Sequence, residues 1–235
     1  MFDVVILIVT PNLTQGEFDA LVPMVSPEKQ VRIKKCRLFR DAQNCLLGDV
    51  LARAEICRIA NLDNRALDFS ANAYGKPFLA NKPDIHFNIS HTKNYVACAL
   101  SDEPVGIDIE FIKPTNQKIA ERFFAPDERA YIAANDQAND QMNAFYEVWT
   151  KKESRIKWEG QGLHKPLSSF SVFEVSQDGQ KQAIYHKVYQ NAEVICHVCS
   201  TKQAAPNVEI TDTAAFVNPY TGSKMYPEPR SFVIV

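Results

Sequence analysis

The residues best suited to chemistry are two carboxylates that alternate with apolar side chains. In the run Val105-Gly-Ile-Asp-Ile-Glu-Phe111, Asp108 and Glu110 occupy positions between apolar residues. Such alternation is typical of a β-strand whose two faces meet different surroundings. Asp108 and Glu110 then share one face, where two carboxylates can ligate one hard cation through oxygen. Taken alone, the pattern is more often an ordinary strand with a solvated acidic face.

A third carboxylate stands beside a lysine on a predicted helix. The segment from Met142 to Trp158 carries apolar residues at helical spacing, and Glu153 and Lys157 are four residues apart on one face of it. The simpler interpretation is a surface ion pair worth about 0.3–0.5 kcal/mol. The alternative is a third metal carboxylate beside a phosphate-binding ammonium. The position of Glu153 at the edge of the apolar stripe favours this alternative, because the side chain would be partly buried.

Further polar residues could bind an anion. Ser90 and His91 lie where a predicted strand turns, and Lys76 precedes them in the segment Tyr74-Gly-Lys-Pro-Phe78. A hydroxyl, an imidazole and an ammonium could together bind a phosphate. A Ser-His turn by itself is nearly always structural, so this group carries little weight alone.

A basic stretch, residues 28–40, contains Lys29 and Arg32. Charges at helical spacing are usually just a solvated helix face. Together with three acids and no nucleophile candidate, however, several lysines and arginines indicate phosphoryl chemistry on an anionic ligand.

The six cysteines are predicted to be reduced thiols. Cys196-His-Val-Cys199 has the spacing of a zinc knuckle, but it lies in an alternating strand pattern. Positions 196 and 199 would therefore point to opposite faces of the strand. With no second pair at metal spacing, core cysteines are the better interpretation.

The elements that must position these residues recur in the same order. A predicted helix at 46–60 precedes a hairpin at 86–100, and a helix at 142–158 precedes a hairpin at 185–199. This order predicts an α+β fold of two similar halves, a pseudo-twofold arrangement with a ligand cleft between them.

The boundary between the halves is predicted near Pro104. An N-terminal half would span residues 1–104 and a C-terminal half residues 105–235. The tail after Lys202 is rich in Pro, Asn and Thr. It is expected to wrap loosely or to be partly disordered.

Bulk properties exclude several classes of function. The 235 residues are 46% hydrophobic, which is enough for a real core, and the net charge of -2 does not favour nucleic-acid binding. The apolar run from Met1 to Val9 is short and is stopped by Pro11, so it reads as a buried strand and not as a signal peptide or membrane span. A cytoplasmic protein without membrane association is expected.

Four motifs, in order and in spacing, resemble those of the 4′-phosphopantetheinyl transferase superfamily, in its surfactin-synthetase-activating (Sfp-type) branch. The likeness runs from about Ser26 to Val172. Each motif is weak alone, but all four in register are hard to obtain by chance. They are Gly75-Lys-Pro77, Phe87-Asn-Ile-Ser-His91, Gly106-Ile-Asp-Ile-Glu110 and Trp149-Thr-Lys-Lys-Glu-Ser-Arg-Ile-Lys157.

The resemblance implies a magnesium-dependent transfer of the 4′-phosphopantetheine arm of coenzyme A to a serine of an apo acyl or peptidyl carrier protein, releasing 3′,5′-ADP. Asp108, Glu110 and Glu153 would hold Mg²⁺, and Glu153 would also be the candidate base. Lys157 would neutralise the pyrophosphate and the leaving group, with assistance from Lys152. Family members of this size are monomers.

The resemblance also implies that the N-terminal half binds the adenosine end of coenzyme A and that the C-terminal half carries the metal and pyrophosphate site. Lys76, Ser90 and His91 would bind the adenosine end, with Lys29 and Arg32 in the same pocket. Where the family carries an arginine and a small hydroxyl residue, this chain has Asn44 and Cys45. The alternative function is a non-catalytic coenzyme A or nucleotide-binding protein, against which the intact acidic trio speaks.

Overall fold

A computed structural model describes residues 1–115, 117–174 and 182–221. Its strands are β1 (Phe2–Ile8), β2 (Phe69–Ala71), β3 (Pro77–Leu79), β4 (His86–Thr92), β5 (Tyr95–Ser101), β6 (Gly106–Phe111), β7 (Ile184–Gln190), β8 (Val194–Ser200) and β9 (Asn207–Asp212). Its α-helices are α1 (Gln15–Leu21), α2 (Pro27–Lys34), α3 (Phe39–Ala60), α4 (Gln117–Phe123), α5 (Pro126–Ala133), α6 (Ala138–Glu159) and α7 (Thr213–Thr221).

Each half contains a long helix on a sheet, as the repeated pattern predicts. In the first half, α3 packs on the sheet ordered β4-β5-β1-β9 through apolar residues at helical spacing, among them Leu47, Val50 and Leu51. In the second half, α6 packs on the sheet ordered β6-β8-β7. Both helices end at a residue in the left-handed conformation, Asn61 and Gly160, which is a common helix stop. The α+β prediction of two similar halves is confirmed.

The two sheets share an apolar layer that joins the halves. Val4 and Ile6 of β1, and Ile107 and Ile109 of β6, belong to one buried cluster. The even-numbered positions of β6 consequently face away from this layer, toward α6. The alternation read from the sequence therefore places Asp108 and Glu110 beneath the helix that carries Glu153.

The segment after Lys202 departs from the sequence-based prediction. Strand β9 adds to the first sheet in parallel with β1, and α7 packs on α1 and buries Phe216 and Val217 in the N-terminal core. The expectation of a loosely wrapped tail is wrong for these residues, because their apolar side chains complete the N-terminal core. The remainder of that predicted tail, residues 222–235, lies outside the described residues.

The paired cysteines of β8 face opposite sides, as predicted. Cys196 belongs to the apolar layer between the sheets. Burial raises the pKa of Cys199, the charge of Arg155 lowers it and the charge of Glu159 raises it further. Arg155 and Glu159 belong to α6, on the other side of the strand. No helix within residues 1–115, 117–174 and 182–221 is long and apolar enough to cross a membrane.

Candidate active site

The site lies where strand β4 of one half meets strand β6 and helix α6 of the other. β4 and β6 are both edge strands, and side chains of β4 satisfy backbone N–H groups of β6. The Asn88 carboxamide oxygen accepts from the Ile107 N–H at 2.8 Å, and the Ser90 hydroxyl accepts from the Ile109 N–H at 3.3 Å. Because Asn88 and Ser90 are two residues apart, they point from the same face of β4. These bonds fix the junction of the two halves.

Lys157 is bound at this junction by groups from both halves. Its ammonium lies 2.6 Å from Asp108 Oδ1, 2.9 Å from Ser90 Oγ and 3.1 Å from the Ile107 carbonyl oxygen. The Ser90 hydroxyl in turn donates to Asp108 Oδ1 at 3.0 Å. Lys157 therefore pairs with Asp108, whereas the sequence suggested a pair with Glu153 four residues earlier on the helix. Proximity across the junction, rather than helical spacing, selects the partner.

The three acids form a zone of mutual repulsion. The Oδ2 atom of Asp108 is buried without a hydrogen-bond partner. Burial raises the pKa of Glu110 to about 7, and the charges of Asp108 and Glu153 add to this effect. The pKa of Glu153 is also raised, first by burial and then by Asp108. An excess of buried negative charge with a free carboxylate oxygen is a setting that a cation would stabilise.

Carboxylate oxygens are the ligands that Mg²⁺ prefers, so the donor chemistry of Asp108, Glu110 and Glu153 fits that ion. In the described ranges, however, no three His, Cys, Asp or Glu side chains are arranged as a group that could hold a metal ion. Lys157 and Ser90 both bond to Asp108 Oδ1, which leaves Oδ2 as the Asp108 oxygen that could ligate a metal ion.

Cations of the N-terminal half border the same junction. The pKa of His91 is lowered, first by desolvation and then by the charges of Lys157 and Lys29. These two ammonium groups therefore lie near the imidazole, although His91 as a residue is exposed. Lys29 is also 3.3 Å from Asp49, and Arg32 is exposed one turn further along α2. The predicted phosphate-binding residues Lys29, His91 and Lys157 are thus brought together.

Lys152 does not belong to this site. Its side chain is fully buried, its ammonium lies 2.8 Å from Glu128 Oε2, and it donates to the carbonyl oxygens of Leu167 and Phe170. This position differs from the assistance to Lys157 that the resemblance implies: the ammonium is enclosed, and it ties α5 and the 167–170 segment to α6.

Lys152→Met is expected to lower the free energy of unfolding by about 3–5 kcal/mol, because it leaves the Glu128 carboxylate buried and unpaired. Urea denaturation measures this. Replacing both partners, with Lys152→Met and Glu128→Gln together, should cost less than the single change, since no unpaired charge remains. A loss below about 1 kcal/mol for the single variant, the scale of a surface pair, would contradict the structural role.

Lys76 is likewise not presented to the cleft as predicted. Its ammonium donates to the carbonyl oxygens of Val105, Lys157 and Trp158, at 3.0, 2.6 and 3.3 Å. These three acceptors hold the ammonium between the end of α6 and the start of β6. Burial lowers the pKa of Lys76 to about 8. The ammonium therefore joins the N-terminal half to α6 and β6, and its binding to the adenosine end of coenzyme A stays a prediction.

The two residues that depart from the family pattern differ in exposure. Asn44 is 2% exposed and donates to the Lys93 carbonyl oxygen at 2.5 Å, while its own Oδ1 has no hydrogen-bond partner. Cys45 is partly exposed. The buried amide of Asn44 therefore bonds to the β4–β5 turn.

Sequence reasoning missed two residues that support the acids. Asn88 was quoted within a motif but given no role, although its spacing from Ser90 on a strand places both on one face. Trp149 stands in the fourth motif without a role of its own, yet its indole hydrogen bonds to the Glu110 carboxylate and partly offsets the rise in the pKa of that group. The amphipathic character of tryptophan, with its single N–H donor, is the signal that could have indicated this.

Comparison with known proteins decides the family. A model of the 4′-phosphopantetheinyl transferase superfamily matches residues 104–218, and one described as 4′-phosphopantetheinyl transferase, N-terminal, matches residues 11–103. The 4′-phosphopantetheinyl transferase Sfp of Bacillus subtilis (strain 168) is 47% identical over 171 residues, which are 72% of this chain and 74% of that protein. The chain belongs to this superfamily.

Other relatives extend the likeness along the chain. The 4′-phosphopantetheinyl transferase gsp of Aneurinibacillus migulanus is 36% identical over 222 residues, covering 90% of this chain and 91% of the relative. The 4′-phosphopantetheinyl transferase ffp of Bacillus subtilis is 44% identical over 171 residues. These relatives place the chain in the Sfp-type branch, and its activity is phosphopantetheinyl transfer to carrier proteins. The alternative of a non-catalytic binding protein is not favoured.

Proposed function

We propose that this transferase moves the phosphopantetheine arm of coenzyme A to a carrier serine at the junction of β4, β6 and α6. The observation that carries the proposal is the position of Lys157. It is an ammonium shared between the two halves, bound to Asp108 beside a free carboxylate oxygen. The Lys157 ammonium suits the phosphate groups of a ligand. The unpaired carboxylate oxygen beside it suits a metal ion that binds together with that ligand.

Asp108, Glu110 and Glu153 are the residues that would hold Mg²⁺. When bound, the ion would neutralise charge on the pyrophosphate of coenzyme A. Three oxygen donors, one with an unpaired buried atom, support this assignment. Burial, and then repulsion from the neighbouring acids, raises the pKa of both glutamates.

The remaining roles follow from the charges at the junction. The serine oxygen of the carrier forms a bond to the β-phosphorus of coenzyme A as the bond to 3′,5′-ADP breaks. Glu153 would accept the serine proton, directly or through a water. Lys157 would stabilise the leaving phosphate, while Lys29, Arg32, Ser90 and His91 would bind the nucleotide. Catalysis then consists mostly of positioning and electrostatic stabilisation.

The product 3′,5′-ADP offers a direct test. Chromatography of a mixture of this chain, coenzyme A, Mg²⁺ and an apo carrier should detect one equivalent of 3′,5′-ADP per carrier molecule. Release of 3′,5′-ADP in the absence of any carrier would instead indicate hydrolysis of coenzyme A. We further propose that the protein acts as a cytoplasmic monomer, with residues 1–104 serving the nucleotide and residues 105–235 the metal.

Chelation is expected to abolish the transfer. Excess EDTA should reduce the rate to background, and added Mg²⁺ or Mn²⁺ should restore it, because the proposed ligands are all hard oxygen donors. Zinc-selective chelators serve as the control and should have little effect, since Cys196 and Cys199 face opposite sides of β8. Full carrier modification in excess EDTA would contradict the assignment of the three acids.

A further inference from the structure

The turn between β2 and β3, residues 72–76, reaches from the N-terminal half to the end of α6. Within the turn, the Asn72 side-chain oxygen accepts from the backbone N–H groups of Tyr74 and Lys76, each at 2.9 Å. Gly75 supplies the left-handed conformation, with φ of 84°. The turn is therefore held by bonds within itself, in addition to its contacts with the helix.

Two side chains of this turn bind the last carbonyl groups of α6. Lys76 donates to Lys157 O and Trp158 O, and the Asn72 amide donates to Gly160 O at 2.9 Å. The final four carbonyls of a helix have no partner within the helix, and a cation there also interacts favourably with the helix dipole. The turn thus supplies the cap that the end of α6 requires.

The same ammonium also contacts strand β6. Its third bond, at 3.0 Å, goes to Val105 O, immediately before the strand begins. One charged group therefore ties the end of α6, which carries Lys157, to the start of the strand that carries Asp108. We call these bonds of Lys76 and Asn72 the clamp. The clamp sets the position of Lys157 on α6 relative to Asp108 on β6.

We propose that Lys76, with Asn72, is a positioning residue that sets the approach of Lys157 to Asp108 and Ser90, and that its ammonium acts through Lys157 and not through a contact with coenzyme A. This inference rests on the proposed function, because it assigns Lys76 an effect on the same site. Loss of the clamp should misplace Lys157 for its phosphate without removing any ligand-binding group.

A double-mutant cycle separates positioning from direct contact. Lys76→Met keeps the aliphatic stem and removes the three donors. Coenzyme A affinity is measured by titration calorimetry for four proteins: the wild type, Lys76→Met, Lys157→Ala and the double variant. If Lys76 acts through Lys157, Lys76→Met should weaken binding about 10-fold in the wild type and less than about 2-fold in the Lys157→Ala background. Turnover should fall by up to about 100-fold in the single variant.

Equal losses in both backgrounds would overturn the proposal, since Lys76 would then act independently of Lys157. No loss in either background would also overturn it. Lys82→Met, the same change at a lysine outside the turn, is the control and should bind coenzyme A normally.

If Lys76→Met does not fold, Asn72→Ala is put through the same cycle. Its loss is expected to be smaller, about 3-fold, because it removes one helix cap and loosens the turn. This loss of affinity should also vanish in the Lys157→Ala background. An equal loss in both backgrounds, or no loss in either, would refute the clamp. A wild-type chain that neither binds coenzyme A nor transfers its arm would refute the proposed function instead.

Discussion

Glu153→Gln is expected to lower turnover by at least about 100-fold while leaving the melting temperature unchanged or slightly higher. The variant removes a proposed metal ligand and base. It should not cost stability, because burial and the charge of Asp108 raise the pKa of Glu153. A raised pKa means that the ionised carboxylate disfavours the folded state near neutral pH, so a neutral amide relieves repulsion. Steady-state kinetics and thermal unfolding measure the two effects.

Glu159→Gln is the matched control on the same helix. Glu159 pairs with Arg155 and Lys165 and lies outside the junction, so its loss should cost a little stability and leave turnover normal. If Glu153→Gln instead lowered the melting temperature by many degrees and kept near-normal turnover, Glu153 would be a structural residue and the assignment would be wrong.

Gly106→Ala is expected to damage both folding and activity. A Cβ at this position would lie 2.1 Å from Ser154 O and 2.3 Å from Trp158 N, which are backbone atoms of α6. Neither atom can move without the helix, so β6 and α6 must separate. Forced overpacking of this kind costs about 1–3 kcal/mol or more. The shift also moves Asp108 away from Lys157, and a displacement of about 1 Å can cost about 100-fold in rate.

Gly16→Ala provides the comparison. Nothing lies within 4 Å of a Cβ at Gly16, which belongs to α1, so the change should be neutral or stabilise by about 1 kcal/mol. Urea denaturation and turnover are measured for both variants. Normal stability and turnover for Gly106→Ala would show that β6 and α6 do not approach as closely as described.

Local patterns predicted the elements of the site well. Alternation along 105–111 placed Asp108 and Glu110 on one face of β6, and helical periodicity placed Glu153 and Lys157 on α6. Both patterns depend on burial within a single element, which the sequence records directly. The hairpins at β4–β5 and β7–β8 were equally readable, because polar turn residues interrupt apolar runs.

Long-range partners could not be read from the same patterns. Lys152 and Lys76 look like Lys157 in a motif, but their ammonium groups meet Glu128 and backbone carbonyls that are distant in sequence. Strand β9 pairs in parallel with β1, which lies some two hundred residues earlier. Such contacts depend on how elements assemble. A lysine in a motif is therefore ambiguous between a ligand and a structural tie until the fold is known.

Intact-protein mass spectrometry of apo carrier proteins shows directly whether this chain transfers phosphopantetheine with its acidic site. Each of a panel of acyl and peptidyl carriers is incubated with this chain, coenzyme A and Mg²⁺, alongside a carrier whose target serine is alanine. We expect a gain of one phosphopantetheine on at least one apo carrier, no gain on its alanine variant, and almost no gain with the Asp108→Asn enzyme. Unchanged mass for every carrier, or equal modification by Asp108→Asn, would contradict it.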